Sequence, residues 1–390
     1  MEFVDVAIVG GGVMGSATAY YLHKHGFKGS VAIIEKDTTY AYSCTARSAG
    51  GMRQQFSCPE NIRLSQFGLA LIDRLKDEFG PEADVGFKEQ GYLILAGPGG
   101  EAVLGEIVNL QRGMGAATVL LSRQEMERRF PWLVLDGLAA GSFGTSREGW
   151  IDPTTLMTLL RKAAQKAGTR LIADEVVGVE RSGERIAGLT LRKNGALGIG
   201  ALVNAAGAGA GELARLAGAE LPVGPRKRYV YVLDCPVADA ALHAAPLTVD
   251  PEGFYFRPEG RHFITGLSPG SDDEPKQFDW EVDYGWFEDR IWPRLAARVP
   301  AFETVKVINA WVGHYDYNAL DENGIIGRHP AIPNLYFANG FSGHGLQQGP
   351  AAGNALAELL VHGRYIAIDL ERLGYERVLK GEPYGERNVI

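Results

Sequence analysis

Cysteine is scarce in this chain, whose 390 residues hold only Cys44, Cys58 and Cys235. Three thiols cannot build the disulfide framework of a small secreted domain, and no Cys-x-x-Cys spacing is present for zinc or redox work. Basic charge is also short, with Lys+Arg 39 against Asp+Glu 47 and a net charge of -8. That balance gives no field for a phosphate backbone and excludes nucleic acid as an expected partner. No apolar run approaches the roughly 18 to 20 residues that span a bilayer, and no His, Asp, Glu and Cys cluster has metal-ligand spacing, so neither a membrane span nor a metal is expected. Met1 to Asp5 leads almost directly into a strand-like run, leaving no room for a signal peptide, and the chain is read as cytoplasmic.

What is there is an ordinary globular composition, 46% hydrophobic and 22% charged, at a length that suits two or three domains. Val4 to Val9 is rich in β-branched residues, glycines follow, and apolar positions recur at helical spacing from Val13 to His25. Val31 to Glu35 is a second apolar run closed by an acid, which completes one βαβ unit. Further on, Ser122 and Glu125 form a capping-box signature, and Pro153 begins a helix after a turn at Asp152. A strand from Ala201 runs into Ala205-Ala206-Gly207, and Arg226 to Leu267 reads as strands of an antiparallel sheet. Leu335 to Leu360 reads as strand, glycine loop and long helix, the helix beginning near Pro350. Glycine turns at the start, middle and end, separated by β-rich stretches, predict a discontinuous cofactor domain.

Gly10-Gly11-Gly12-Val13-Met14-Gly15 fits G-x-G-x-x-G directly after a strand and at the opening of a helix. Gly10 permits the tight turn, Gly12 lets a pyrophosphate approach the backbone, and Gly15 allows close helix packing, while the helix dipole favours the anion. Glu35 lies where an acid would accept an adenosine ribose hydroxyl. This fingerprint alone leaves FAD and NAD open. FAD is long, so its flavin end needs a second backbone site. Gly340, Gly343, His344, Gly345, Leu346 and Gln347 suit that role because their amides open a helix.

With these motifs in view, the chain resembles the D-amino-acid-oxidase superfamily of FAD enzymes, in its sarcosine oxidase and dimethylglycine dehydrogenase branch. The carriers are the Gly10–Gly15 turn with Glu35, the run from Arg47 through Ser48, Ala49, Gly51, Met52 and Arg53 to Gln55, Gly149 to Pro153, Asn204 to Gly207, and Gly340 to Gln348. Segments Pro225 to Tyr231, Arg298 to Thr304 and Tyr315 to Asn318 look closer to the mitochondrial FAD-dependent oxidoreductase domain-containing family associated with complex I assembly.

The resemblance implies an α/β fold, with a glutathione-reductase-like FAD-binding Rossmann domain at 1–85, 145–220 and 325–375. An antiparallel-sheet substrate domain would occupy 86–144 and 221–324, followed by a C-terminal tail at 376–390. It adds Lys36 and Val176 to the FAD-contacting set. It implies hydride transfer to flavin N5 from the carbon beside the nitrogen of an N-substituted or secondary amino acid, giving an imine that hydrolyses. A 2-hydroxy acid, or a flavin-containing assembly role, are the other readings.

The branch's covalent flavin tethers are missing. Val312-Gly313-His314-Tyr315 holds no cysteine and Ser48 stands where a histidine would, so FAD is expected to be non-covalent, with His314 the residual candidate for a link. Gln347 replaces a substrate-holding lysine, and His262 to Gly266 lacks a lysine that would speed oxygen use, which favours a dehydrogenase. The electron acceptor would be oxygen or a respiratory-chain carrier.

Arg53 is the first candidate for holding a substrate carboxylate, through a bidentate pair, with a surface salt bridge as the alternative. Tyr255 and Arg257 alternate with Phe254 and Phe256 and are candidates for a lid or carboxylate clamp, with core packing as the alternative. His344 is a candidate donor, and His314 with Tyr315 is expected near the flavin ring by family position. Arg226 and Arg228 fall on one strand face and Lys227 with Tyr229 on the other.

Overall fold

The computed structural model describes residues 2–268 and 279–387. Residues 269–278 of the expected substrate domain and 388–390 of the expected tail lie outside them. Two large sheets dominate. In the first, Ile325–Arg328, Leu335–Asn339, Gly195–Asn204, Glu2–Val9, Val31–Glu35 and Arg170–Ala173 lie side by side in that order. Four of its pairings, those of Gly195–Asn204 with Leu335–Asn339 and with Glu2–Val9 and those of Val31–Glu35 with its two neighbours, are parallel. Val4, Ala7, Ile8, Ala32 and Ile33 are all 0% exposed, because a parallel strand is covered on both faces and can be apolar at every position.

One face of this sheet carries the helices Val13–Lys24, Pro153–Lys166 and Gly345–His362. The first and third pack closely, since Gly349 lies against Val13 and Gly353 against Ala17 with no side chain between them. The expected helix start near Pro350 is corrected, for the helix begins at Gly345 and Pro350 lies inside it. The missing Pro350 N–H would have reached only the Leu346 carbonyl, near the start of the ladder, so the chain enters the helix a turn earlier than the proline suggests.

The second sheet contains Lys306–Asn318, Val223–Asp234, His262–Leu267, Phe254–Glu259, Leu247–Val249, Tyr92–Ala96, Ala140–Gly144 and Thr118–Ser122, in that order. It is antiparallel except that Leu247–Val249 runs parallel to Tyr92–Ala96. Strand alternation divides its residues cleanly. Tyr229, Tyr231, Val312, Phe254, Phe256 and Phe263 turn to an aromatic core capped by Ile291, Leu295 and Phe302. The opposite face, with Tyr92 and Tyr255, turns toward Trp150. A two-stranded ribbon, Gly51–Met52 with Gly149–Trp150, lies between the large sheets. Among the described residues no helix is long and apolar enough to cross a membrane.

Candidate functional site

The first glycine turn is built as its sequence demands. Gly10 has φ +100, and a Cβ there would collide with the Ala205 carbonyl oxygen. Gly11 N–H donates to Glu35 Oε2 at 2.7 Å and Val13 N–H to Thr45 Oγ1 at 3.0 Å. The other Glu35 oxygen takes the Asp37 N–H at 2.9 Å, so the acid is fixed beside the turn. Met14 and Gly15 are buried behind it, and Ala205, Ala206 and Gly207 close its far side, Ala205 N–H donating to the Val9 carbonyl at 2.9 Å. Val176 is half-buried at the start of a strand, two residues after Asp174, whose N–H donates to the Glu35 carbonyl. Lys36 is exposed.

The loop after this unit is tied to the second sheet. Arg257 Nε and Nη2 both donate to the Ala49 carbonyl, at 3.0 and 2.8 Å, while its Nη1 pairs with Glu259. Arg257 therefore fastens the loop. Ser48 Oγ accepts the Gly50 N–H at 3.1 Å, and the Arg47 guanidinium donates to the Ala41 carbonyl and lies over Tyr42 and Trp280. A cleft of about 520 Å³ opens here, with Ser48, Trp150, Arg257 and Trp311 among its walls.

The second glycine turn is held by a buried acid that sequence reasoning did not single out. Asp316 Oδ2 accepts the N–H groups of Gly340 and Phe341 at 2.9 and 3.3 Å, and its carbonyl accepts that of Ser342. Burial raises the Asp316 carboxyl to about 6. Gly343, φ +103, passes against the Tyr315 ring, where a Cβ would lie 2.7 Å from it. Gly345 and Leu346 then open the long helix. The Asn339 side-chain amide and Gln348 Nε2, on either side of this turn, are buried with no hydrogen-bond partner among the described residues. A bound polar group satisfies such atoms where the protein does not.

Beside the second turn lies Arg53, 1% exposed, which rules out the surface salt bridge. Its Nη1 donates to the Gln55 carbonyl at 2.5 Å and its Nη2 lies 3.2 Å from His344 Nε2. The guanidinium sits 4.2 Å over the Phe56 ring and 5.8 Å from that of Tyr92. Gln347 Oε1 accepts the Arg53 N–H at 2.7 Å, which locks the second turn to this loop. Burial and the Arg53 charge push His344 down to about 3, so its imidazole is neutral. Tyr92, Tyr255 and Tyr315 surround the same space with phenols raised by burial, and Arg228 stacks 5.0 Å over Tyr315.

Not every expected residue joins this group. His314 pairs across the strands with Lys227 and turns to the aromatic-core face, edge-on to Trp280 at 4.4 Å. Neighbouring strand residues point to opposite faces, so Tyr315 reaches the chamber and His314 does not. Glu148, Gln55 and Tyr92 belong to the group around Arg53, yet none was a site candidate from sequence, although Gln55 ends the Arg47 run. The available signal for Glu148 was its place immediately before Gly149-Trp150.

Two glycine turns that meet where Gly345 lies against Met14, with an acid beside one and a helix start at the other, suit an FAD molecule, whose adenosine and pyrophosphate Gly10, Gly12, Gly15 and Glu35 would hold. The second turn, Gly340 to Gln347, is left for the flavin end. This is the architecture of a flavin-dependent oxidoreductase. Residues 5–359 match the family described as DAO, FAD dependent oxidoreductase, and the chain belongs to that family, with FAD as its cofactor. It is 40% identical to FAD-dependent oxidoreductase domain-containing protein 1 of Bos taurus, over 100% of this chain and 87% of that protein. It is 27% identical to sarcosine oxidase subunit beta of Rhizobium meliloti, over 92% of this chain and 85% of that one. The crystal structure of L-proline dehydrogenase from P. horikoshii superposes with TM-score 0.86 at 26% identity, covering 98% of this chain and 100% of that chain.

Proposed function

We propose that this enzyme oxidises a secondary or N-substituted amino acid at the carbon next to nitrogen. The observation that carries the reading is Arg53, a fully buried cation beside the second turn, oriented by the Gln55 carbonyl and His344 and close to Tyr92 and Tyr315. A guanidinium so placed holds a carboxylate in one orientation, and aromatic walls exclude water from the rest of the ligand. Relatives named for sarcosine and for proline, both secondary amino acids, support the same class.

In the reaction, the carbon beside the nitrogen loses a hydride and the nitrogen its proton, leaving an imine. Bound FAD supplies the two-electron acceptor. Water then adds to the imine and the C–N bond breaks, releasing a carbonyl compound and an amine, except where a ring retains both. Neutral His344 accepts from Arg53 and so keeps the guanidinium charge available for the carboxylate. The chain holds FAD without a covalent link, since Gly313 has no side chain, the Ser48 hydroxyl is turned to Gly50, and His314 faces away. We favour a dehydrogenase over an oxidase, the stretch His262 to Gly266 having no lysine. Product analysis tests the reaction. Turnover of N-methylglycine, or of an N-(carboxyalkyl) amino acid, with an artificial acceptor should release stoichiometric carbonyl and primary amine. Oxidation of 2-hydroxy acids alone would overturn it.

A further inference from the structure

Glu148 is a buried carboxylate that the reaction above does not use. It directly precedes the strand Gly149–Trp150, whose pairing with Gly51–Met52 carries it beneath the loop that bears Arg53. It is 1% exposed. Its Oε1 accepts the Gln54 N–H at 2.6 Å and its Oε2 accepts Gln55 Nε2 at 2.7 Å. Gln55 is held further by the Tyr92 carbonyl and by the Ser142 hydroxyl. The main-chain carbonyl of Gln55 is the acceptor for Arg53 Nη1. Glu148 therefore grips both residues that follow Arg53, one of which orients the guanidinium. Gly144 leaves it room, for a Cβ there would collide with the carboxylate.

We propose that Glu148 is a positioning residue whose protonation state sets how firmly Arg53 holds the carboxylate of the substrate, an inference that takes the amino-acid reading above as its premise. Arg53 is the charged group whose field reaches Glu148, while Gln54, Gln55 and Ser142 are uncharged. Tyr92 on the neighbouring strand is neutral, its phenol raised to about 12, with Tyr315 and Arg257 acting on it from beyond. His344 is neutral, and Glu386 acts on Arg53 and His344 from the other side. Burial outweighs the hydrogen bonds and the Arg53 charge and raises Glu148 to about 7. Protonated, Glu148 no longer competes with an incoming carboxylate for the Arg53 charge. Ionised, it competes for that charge in a medium of low dielectric, and carboxylate affinity falls.

The test uses FAD-loaded protein and 2-furoate, a carboxylate with no amine to oxidise, followed by perturbation of the flavin absorption band. In the wild type the 2-furoate dissociation constant should rise about fivefold or more from pH 6 to 8.5. Glu148→Gln should bind with the low-pH affinity at both, and Glu148→Asp should keep the pH dependence. With an oxidisable substrate the difference should appear in KM, with kcat little changed. Infrared difference spectra of the FAD-loaded protein should show, beside the band of Asp316, a protonated carboxyl band that disappears between about pH 6 and 8 in the wild type and is missing from Glu148→Gln. If Glu148→Gln fails to fold, the infrared titration and Glu148→Asp still decide. The same pH dependence in wild type and Glu148→Gln, or no carboxyl besides Asp316 titrating in that range, would overturn the inference alone. A wild type that binds no carboxylate at any pH would overturn both it and the amino-acid reading.

Discussion

The Nη2 of Arg53 lies 3.2 Å from Nε2 of His344, although 291 positions separate them in the chain. Arginine only donates, so His344 Nε2 is the acceptor and the imidazole proton sits on Nδ1. This one contact joins the loop after the first βαβ unit to the turn that opens the long C-terminal helix. With burial, the larger cause, it keeps the His344 imidazole neutral.

Replacing Arg53 by Ala removes the cation proposed to hold the substrate carboxylate while leaving both glycine turns in place. We expect FAD to remain bound and kcat/KM for an amino-acid substrate to fall by about 100-fold or more. Arg53→Lys should recover little of this, because a lysine cannot serve the Gln55 carbonyl, His344 and a carboxylate in one plane. Loss of FAD from Arg53→Ala, read from the absorption spectrum, would show that the arginine serves the cofactor instead.

Acid and base should act on stability through different groups. Burial holds His344 and His314 at about 3 and about 4, below the roughly 6.5 of an unfolded histidine. Their contribution is fully present above pH 6.5 and is lost as pH falls toward those values, since the unfolded chain then binds protons the folded one does not. Glu148 and Asp316, raised to about 7 and about 6, contribute below the unfolded carboxylate range and lose that contribution as pH rises through 6 and 7. In melting curves, His314→Phe should gain on the wild type as pH drops from 6.5 to 4.5. Glu148→Gln should gain as pH rises from 5 to 8, and gaps that do not change with pH would contradict this assignment.

The C-terminal segment is bound into the fold. Glu386 accepts the N–H groups of Ser57 and Cys58 at 2.6 and 3.0 Å and the Asn61 side chain at 3.0 Å, so it caps the helix Pro59–Ile72 from the far end of the chain. Nearby, Arg377 pairs with buried Asp321. Glu386→Ala should cost about 1 to 2 kcal/mol in urea unfolding, as loss of a charged N-cap does. No change in the midpoint would mean the tail only rests on the surface.

Flavin should leave the polypeptide on denaturation. Mass spectrometry of unfolded protein should give the mass of the bare chain, and a flavin adduct on any residue would overturn the non-covalent reading.

Features made by local chemistry were readable in the chain. The Gly10–Gly15 turn, Glu35, the capping box at Ser122 and the Asp152 cap each need only a few neighbouring residues. Alternation at Phe254 to Arg257 put Tyr255 and Arg257 on one face and left open whether that face packs in a core or lines a pocket. The same rule, applied to His314 and Tyr315, separates them, and family position alone had kept them together. Pro350 misled because a proline near a helix start usually marks that start. Glu148, Tyr92, Asp316 and Glu386 were not legible, because their roles come from strand pairings and tail contacts between residues far apart in sequence. Burial of Arg53 was illegible for the same reason.

The central claim is that Arg53 presents an amino-acid carboxylate for oxidation by bound FAD, and anaerobic mixing tests it most directly. FAD-loaded wild type and Arg53→Ala should be mixed with a panel of N-alkyl amino acids, cyclic secondary amino acids and 2-hydroxy acids while the oxidised flavin band is followed. The account predicts that at least one secondary amino acid bleaches the wild-type band rapidly, and that Arg53→Ala, still carrying FAD, needs far higher concentrations of it. Bleaching by hydroxy acids alone, by no compound at all, or equally in both proteins would contradict it.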